Sequence, residues 1–376
     1  VSQTEQGKEI IGILTHITDK SHNQEFYDRY FAGIPIDLSK VIFVFSYNDA
    51  NAIDKILRDR ITEVQVQPLN MHEKTKIIQD YSLKEILSAV GYQEGDIEVN
   101  RDVLENLIQE YTQEAGVRKL HERMYEIVRE VNLRRMLDPG SFSLPLKITW
   151  EWVQQFYQDR PKIHAARIPE EPMVGLVNGL YATVSGVGGL SVIQCVKTPS
   201  EKKLHLELTG QQGDIMKESM LCAKTLSWNL LTHQQKRALQ EEWEICGAYG
   251  LHVHCPEAAT PKDGPSAGCA ITVAMVSRLA NVPVRHDVAM TGEIDLHGNV
   301  HPVGGIETKL HGAYRAGVRE VFLPDKNRED VVRLLNKYKK QEQEPEVFRW
   351  FQELMIHYVS KIEEVLVRVL IVREDM

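Results

Sequence analysis

Residues 159–172, DRPKIHAARIPEEP, divide this chain into two regions with different hydrophobic patterns. The segment combines three prolines with six charged residues, a composition typical of a linker or domain boundary. Upstream of it most apolar residues recur at helical spacing, whereas downstream strand patterns and helix patterns alternate. A chain of 376 residues is long enough for two or three domains. We therefore expect domains on both sides of this segment.

The upstream region itself contains two patterns. VIFVFSYN (41–48) is a continuous apolar run that predicts a central strand buried on both faces, and TEVQVQP (62–68) predicts a second strand. Residues 1–68 are therefore interpreted as an α/β piece. From Met71 to Leu137 apolar residues follow three- and four-residue spacing, with stops at Gly91 and at Asp-Pro-Gly. Residues 69–158 are interpreted as a helical domain.

The downstream region, 173–376, predicts an α+β domain. GLYATVSGVGG reads as strands broken at glycines with a hairpin turn, and EIDLHGNVHPV as a second hairpin. AGCAITVAMVSRLA and IETKLHGAYRAG predict helices. The fold class is thus multidomain α/β and α+β.

Composition excludes some classes of protein. The net charge of −9 argues against nucleic acid as the main partner. The sequence contains no run of about 18 apolar residues, so no membrane span is predicted. Five scattered cysteines without a Cys-x-x-Cys pair favour a reduced, intracellular, soluble protein with no metal site. Because the chain opens at Val1 with polar residues rather than with Met, we expect it to be a piece of a longer protein.

The segment PKDGPSAGCA (261–270) places Ser266 at the mouth of an apolar helix. There a serine could attack a carbonyl while free backbone amides stabilise the oxyanion. Two alternatives stay open from the residues alone. Ser266 could be an ordinary N-cap, or it could belong to a Ser-His-Asp triad. The candidate bases and orienting acids for such a triad are His286, His297, His301, His311, Asp287 and Asp295. A Gly-x-Ser-x-Gly elbow is disfavoured, since a Pro-rich loop separates Ser266 from the preceding strand.

HPVGGIETKLHGAYRAG (301–317) places Lys309 near the start of a helix entered through two glycines. A lysine that acts as a general base must be neutral, so its pKa must fall by about two to three from roughly 10.4. Burial and the positive end of a helix both act in that direction. The alternative is a solvated surface lysine.

HVHC (252–255) places His252 and His254 on one face of a strand. No third ligand follows at metal spacing, so a core or groove role is favoured over a metal site. The chain also lacks Gly-x-x-x-x-Gly-Lys-Ser/Thr and an acidic pair after an apolar strand. These residues are therefore not expected to hydrolyse ATP on their own.

PKDGPSAG, MTGEIDLHGNVHPVGGIETK and AYRAGV together resemble the Lon family of ATP-dependent proteases, in the family's order and spacing. GLYATVSGVGG, LTGQQGDIMKES and HVHCPEAATPKDG extend the resemblance. FSYNDANAIDKILRDRITEV and YTQEAGVRKLHE resemble the second half of the family's AAA+ module and its helical subdomain. The resemblance implies an AAA+ remnant (1–68), a helical small subdomain (69–158), a linker (159–172) and a protease domain (173–376).

The resemblance also implies roles for single residues. Ser266 matches the nucleophile and Lys309 the general base of a Ser-Lys dyad. Around this dyad, the resemblance implies that Thr291 orients the lysine, that Asp263 lies beside the nucleophile, and that the active site is bordered by His252, His254, Glu257 and Lys262.

The resemblance implies a second group of residues that sense the nucleotide. Asn48 matches the polar sensor of the γ-phosphate, and Arg118 matches the second sensor arginine. Arg60, or less well Arg58, matches the arginine finger.

For the full-length parent the resemblance implies ATP and Mg as cofactors, unfolded proteins as substrates and a homohexameric ring. It leaves a cytoplasmic or an organellar location open. Because the phosphate-binding loop is absent from this sequence, we expect ATP-independent peptidase activity at most from the chain alone. One alternative is a catalytically silent assembly module, in which Asp263 keeps Lys309 charged. The other is the Ser-His-Asp hydrolase.

Overall fold

The computed structural model describes residues 4–31, 33–47, 50–64, 66, 68–140, 142–163, 166–183, 186–256, 264–339 and 350–372. The chain forms two compact units, Val1–Gln67 and Pro68–Met376. The helices that the structure describes are α1 (Glu5–Thr18), α2 (Lys55–Arg58), α3 (Met71–Ile77), α4 (Leu83–Val90), α5 (Arg101–Leu107), α6 (Arg118–Leu137), α7 (Trp150–Phe156), α8 (Asp214–Leu230), α9 (His233–Cys246), α10 (Gly268–Ala280), α11 (Ile306–Arg315), α12 (Arg328–Lys339) and α13 (Ile362–Val369).

The described strands are short except for the central hairpin. They are β1 (Phe26–Tyr27), β2 (Pro35–Ile36), β3 (Ile97–Val99), β4 (Leu146–Ile148), β5 (Leu176–Ala182), β6 (Gly188–Pro199), β7 (Leu206–Thr209), β8 (Tyr249–His254), β9 (Val288–Met290), β10 (Glu293–Ile294), β11 (Val300–His301), β12 (Glu320–Pro324) and β13 (Met355–Val359).

In the first unit, Thr4 precedes α1, and its side chain caps the helix by accepting from the Gly7 amide. The two strands predicted here are wrong. Residues 41–47 and the described part of 62–68 form no strand, and Ile42 and Val44 are each 88 % exposed. A strand needs a neighbour for its backbone hydrogen bonds, and within the described residues neither segment has one. Apolar content alone therefore predicted strands that lack a sheet.

A helical core occupies the beginning of the second unit. Its buried side chains come from positions 78–157, on α4, α5, α6 and α7 and on the β3–β4 ladder. α3 is continued by the π-helical turn Ile78–Ser82 and α5 by the π-helical turn Ile108–Thr112. The predicted stop at Gly91 is confirmed, because this glycine closes α4 with φ +95°, a conformation that L side chains rarely adopt.

A seven-stranded mixed sheet, in the order β13-β12-β9-β5-β6-β8-β7, forms the centre of the rest of the unit. β9 runs parallel to β12 and β5, whereas β5 and β6 form an antiparallel hairpin. Side chains of a strand alternate between faces. On β9, Val288 and Met290 pack in the cluster that contains α8 and α10, and Ala289 packs in the cluster that contains α11. The sheet is therefore covered by helices on both faces, and the predicted mixed α/β fold class is confirmed.

The predicted linker contacts the structure on both sides. Ile163 N–H donates to the Glu110 carbonyl (2.8 Å), and Ile168 N–H donates to the Ala316 carbonyl (3.1 Å). α9 was not predicted, although Thr232 and Gln235 form a capping box that is visible in the sequence as Thr-x-x-Gln. Among the described helices, none combines the length and hydropathy needed to cross a bilayer.

Candidate active site

Ser266 lies on a one-turn 3-10 helix, Pro265–Ala267, which follows Gly264 and leads directly into α10. The N-cap interpretation of this serine is wrong. Ala267 occupies the N-cap position of α10, and within the described residues no side-chain hydrogen bond caps either the 3-10 turn or α10. The Ser266 hydroxyl is thus not used to begin the helix.

The backbone of Ser266 is fixed from the end of β9. Its carbonyl oxygen accepts two hydrogen bonds, from the Thr291 hydroxyl (3.0 Å) and from the Gly292 amide (2.9 Å). The Cys269 amide returns a bond to the Gly292 carbonyl (3.0 Å). These bonds pair the turn that carries the candidate nucleophile with the residues that follow a central strand.

Lys309 approaches the same residues from α11. This helix begins after Gly305, which has φ +70°, and Lys309 N–H donates to the Gly305 carbonyl (2.9 Å). Its side chain is 3 % exposed, so the surface-lysine alternative is wrong. Lys309 Nζ donates a 3.0 Å hydrogen bond to Thr291 Oγ1, and burial lowers the pKa of the amine to about 8.

Thr291 therefore joins the two candidate catalytic residues, and the direction of each bond can be assigned. A hydroxyl has a single proton, and that of Thr291 is directed to the Ser266 carbonyl. Its oxygen must then accept from Lys309. A neutral amine that donates to Thr291 keeps its lone pair for another proton. Thr291 is itself completely buried, so solvent does not compete for these bonds.

Two glycines set the position of α11 against the sheet. A Cβ atom at Gly312 would lie 2.4 Å from the backbone carbon of Gly188, and a Cβ at Gly188 would lie 2.2 Å from the Thr308 carbonyl oxygen. Helix and strand backbones are therefore in direct contact here. Because Lys309 lies on the same helix, this contact determines how far its side chain reaches.

The predicted histidines form a separate pair on β8. His252 Nε2 lies 2.9 Å and His254 Nδ1 lies 2.7 Å from Thr209 Oγ1, so both face the same side, as predicted. Within the described residues neither is hydrogen-bonded to Ser266, Thr291 or Lys309. Asp263, Glu257 and Lys262 lie outside the described residues. No group of three or more potential metal ligands (His, Cys, Asp, Glu) occurs within the described ranges.

The histidine alternative for the catalytic base has little geometric support. His301 Nε2 lies 3.1 Å from Asp295 Oδ2, but no hydrogen bond joins either residue to Ser266 in the part of the chain that the structure describes. Burial lowers the pKa of the His311 imidazole to about 3. Asp287 forms an ion pair with Arg285 (2.7 Å).

The predicted nucleotide-sensing residues occupy different regions. Arg118 lies at the start of α6, and its side chain is 90 % exposed beside Glu122. In the other unit, Arg60 donates to the Thr15 carbonyl (2.9 Å) and to Asp19 (2.5 Å). The alternative finger, Arg58, pairs with Glu63, and Asn48 lies outside the described residues.

Sequence reasoning missed the Gly292 amide and the Gly188–Gly312 contact. The glycines themselves were present in the quoted motifs: Gly292 in Thr-Gly-Glu, Gly188 in Gly-Val-Gly-Gly and Gly312 in Leu-His-Gly. The sequence, however, does not reveal which backbone approaches each glycine.

Two models of known protein families match parts of this chain. Residues 147–372 match the family model described as Lon protease (S16) C-terminal proteolytic domain, and residues 88–140 match the one described as Lon protease AAA+ ATPase lid domain. The first match contains Ser266, Thr291 and Lys309, and the second contains Arg118.

Relatives among the curated proteins are similar over nearly the whole chain. A Lon protease homolog of Acanthamoeba polyphaga mimivirus is 34% identical over 97% of this chain and 40% of its own length. Lon protease 1 of Thermus thermophilus is 35% identical over 94% and 41%. Lon protease of Fusobacterium nucleatum is 38% identical over 85% and 40%. The chain thus spans about two fifths of the length of these relatives, and it belongs to the Lon protease family.

Proposed function

We propose that this chain is the proteolytic part of a serine endopeptidase in which Ser266 is the nucleophile and Lys309 the general base. The observation that carries the proposal is the Lys309–Thr291–Ser266 chain of hydrogen bonds. A buried amine with a lowered pKa and no carboxylate hydrogen-bonded to it among the described residues suits a base better than a structural cation.

The chemistry follows from the protonation state of Lys309. The neutral amine removes the Ser266 hydroxyl proton as the oxygen attacks the peptide carbonyl, and the resulting ammonium protonates the departing amine. An acyl-enzyme ester and a shortened peptide result. Lys309, again neutral, then removes a proton from water, which attacks the ester and releases the acid and free Ser266. Thr291 acts as a positioning residue that holds the amine throughout.

For the longer protein we propose ATP-dependent degradation of unfolded proteins by a homohexamer that binds ATP and Mg. We also propose the domain bounds 1–68, 69–158, 159–172 and 173–376. The residues of this chain do not fit a complete nucleotide site. Arg118 presents an exposed guanidinium, but the sequence has no phosphate-binding loop. We therefore assign to this chain peptide hydrolysis without ATP and derive no step through the nucleotide.

The test measures cleavage of a fluorogenic peptide and of casein, without ATP, by the wild-type chain, Ser266→Ala and Lys309→Ala. A fluorophosphonate probe reports the nucleophile independently of turnover. We expect hydrolysis by the wild type alone and labelling that is lost in Ser266→Ala. An inactive, unlabelled wild type would support the silent assembly module instead.

A second comparison separates the dyad from the histidine triad. His301→Ala removes the histidine that pairs with Asp295 and should leave peptide hydrolysis within about threefold of wild type, because no histidine is needed for the dyad. Activity that survives Lys309→Ala but disappears in His301→Ala would overturn the proposal in favour of the triad.

A further inference from the structure

A cleft of 1040 Å³ separates the helical core from α11 and the start of β6. Two hydrogen bonds join these walls, and a third joins the segment after α7 to the helical core. Asn70 Nδ2 donates to Glu307 Oε1 (3.1 Å), Arg315 Nη2 donates to Asn106 Oδ1 (3.3 Å), and the Ile163 amide donates to the Glu110 carbonyl. The volume lies at the upper end of the range for small-molecule sites. It is large enough for an organic ligand.

One face of α11 lines this cleft, and a different face carries Lys309 of the catalytic dyad. Ile306, Lys309, Leu310 and Ala313 are buried toward the sheet, whereas Thr308, His311 and Arg315 line the cleft. The cleft is therefore distinct from the hydrogen-bond chain of the candidate active site. Nothing in the proposed peptide hydrolysis uses its side chains.

Arg315 brings unsatisfied donors into the cleft. Its Nη1 is buried and has no hydrogen-bond partner among the described residues, and its Nη2 donates to Asn106, which is a neutral amide. Burial lowers the pKa of Arg315, although Glu105 and Glu110 raise it. Those two carboxylates are already paired, Glu105 with Arg101 (2.8 Å) and Glu110 with Lys162 (3.0 Å). A guanidinium group whose nitrogens are buried normally has hydrogen-bond acceptors for both of its Nη atoms.

Lys74 is a second incompletely compensated cation at the same cleft. Its side chain is 2 % exposed, and its Nζ donates to the backbone carbonyl of Glu114. Burial lowers the pKa of Lys74. Trp350 also lines the cleft, and its ring meets that of His311 edge-on with centroids 5.2 Å apart. Positive charge and an aromatic wall together suit a ligand with an anionic head and an apolar body.

We propose that this cleft binds a small organic anion, whose carboxylate or phosphate accepts from Arg315 Nη1 and whose apolar body packs toward Trp350. The two head groups share oxyanion chemistry, and guanidinium groups bind both through paired N–H donors.

Titration calorimetry with the full 376-residue chain tests this proposal. The probes are phenyl phosphate, benzoate and the neutral phenol. We expect at least one anion to bind and phenol to bind at least about tenfold more weakly, because neutral phenol offers the guanidinium no charged oxygen to accept its hydrogen bond. The anion that binds with the higher affinity identifies the preferred head group. Absence of anion binding to the wild type at about 10 mM, or equal binding of phenol, overturns the proposal.

Variants locate the site. Arg315→Gln should lower the affinity for the tighter-binding anion by about tenfold or more, and Arg315→Lys should lower that affinity less. The matched control is Arg333→Gln, an exposed arginine on α12 paired with Asp330, which should leave affinity unchanged. If Arg315→Gln does not fold, Lys74→Met and Arg315→Lys supply the comparison. Unchanged affinity in the folded Arg315 variants overturns the proposal.

Discussion

Lys309 Nζ and Thr291 Oγ1 lie 3.0 Å apart in a fully buried contact between α11 and the end of β9. The Thr291 hydroxyl donates its hydrogen bond to the Ser266 carbonyl and accepts one from Lys309, so within the described residues the lysine is oriented by a neutral hydroxyl and not by a carboxylate. The contact fixes the position of the amine, and burial lowers its pKa, and these are the two requirements for a lysine base.

The first prediction concerns pH. The Lys309 amine must be neutral to act, and its pKa is about 8. Peptide kcat/KM should therefore rise about tenfold per pH unit below pH 7 and level off above about pH 8.5. Initial rates of peptide hydrolysis between pH 6 and 9.5 measure this pH profile. A plateau reached already near pH 6.5 would indicate a histidine base.

The second prediction concerns Thr291. Thr291→Val keeps the shape of the side chain but removes the hydroxyl, so Lys309 loses its oriented partner and kcat should fall about 100-fold with KM little changed. Thr291→Ser restores the hydroxyl and should recover most of the loss. A valine variant with wild-type kcat would show that Thr291 does not position the base.

The third prediction concerns stability. A Lys309 pKa of about 8 in the folded chain against 10.5 in the unfolded chain corresponds to a cost of about 3 kcal/mol below pH 8. Lys309→Met should therefore abolish activity yet raise the free energy of unfolding at pH 7 by up to that amount. Urea unfolding measures it.

The pH dependence of that stability has a definite sign. Between pH 8 and 10.5 the unfolded chain binds the proton that the folded chain has lost, so the wild type gains stability and approaches Lys309→Met. The control Lys326→Met, at an exposed position, should change unfolding by less than about 0.5 kcal/mol. A methionine variant less stable than wild type at pH 7 would contradict the prediction.

The fourth prediction concerns the approach of α11 to β6. Gly312→Ala places a Cβ 2.4 Å from the Gly188 backbone, which a backbone cannot accommodate without moving the helix. We expect a loss of about 1–3 kcal/mol in stability and of about 100-fold in peptide hydrolysis. Gly304→Ala, where no atom lies within 4 Å of the new Cβ, should change neither. Equal effects of both substitutions would show that backbone contact is not the cause.

Short local patterns in the sequence were sufficient for most helices and for most strands of the second unit, although β3 (Ile97–Val99) was not predicted. α10 and α11 are visible as apolar spacing, and the stop at Gly91 as a glycine at a helix end. The same reasoning was wrong for 41–47, because a strand depends on a neighbouring strand as well as on its own composition. It missed α9, although the capping box of that helix was present.

By itself the sequence determined which residue types were available, namely a serine at a helix mouth, a lysine behind two glycines and a threonine after a strand. Only the tertiary structure decided that they meet. Ser266 precedes a helix on one face of the sheet, Lys309 belongs to a helix on the other, and Thr291 follows the strand between them. Sequence spacing cannot encode this meeting, since burial against two opposite faces of one sheet creates both the distances and the low polarity that lowers the lysine pKa.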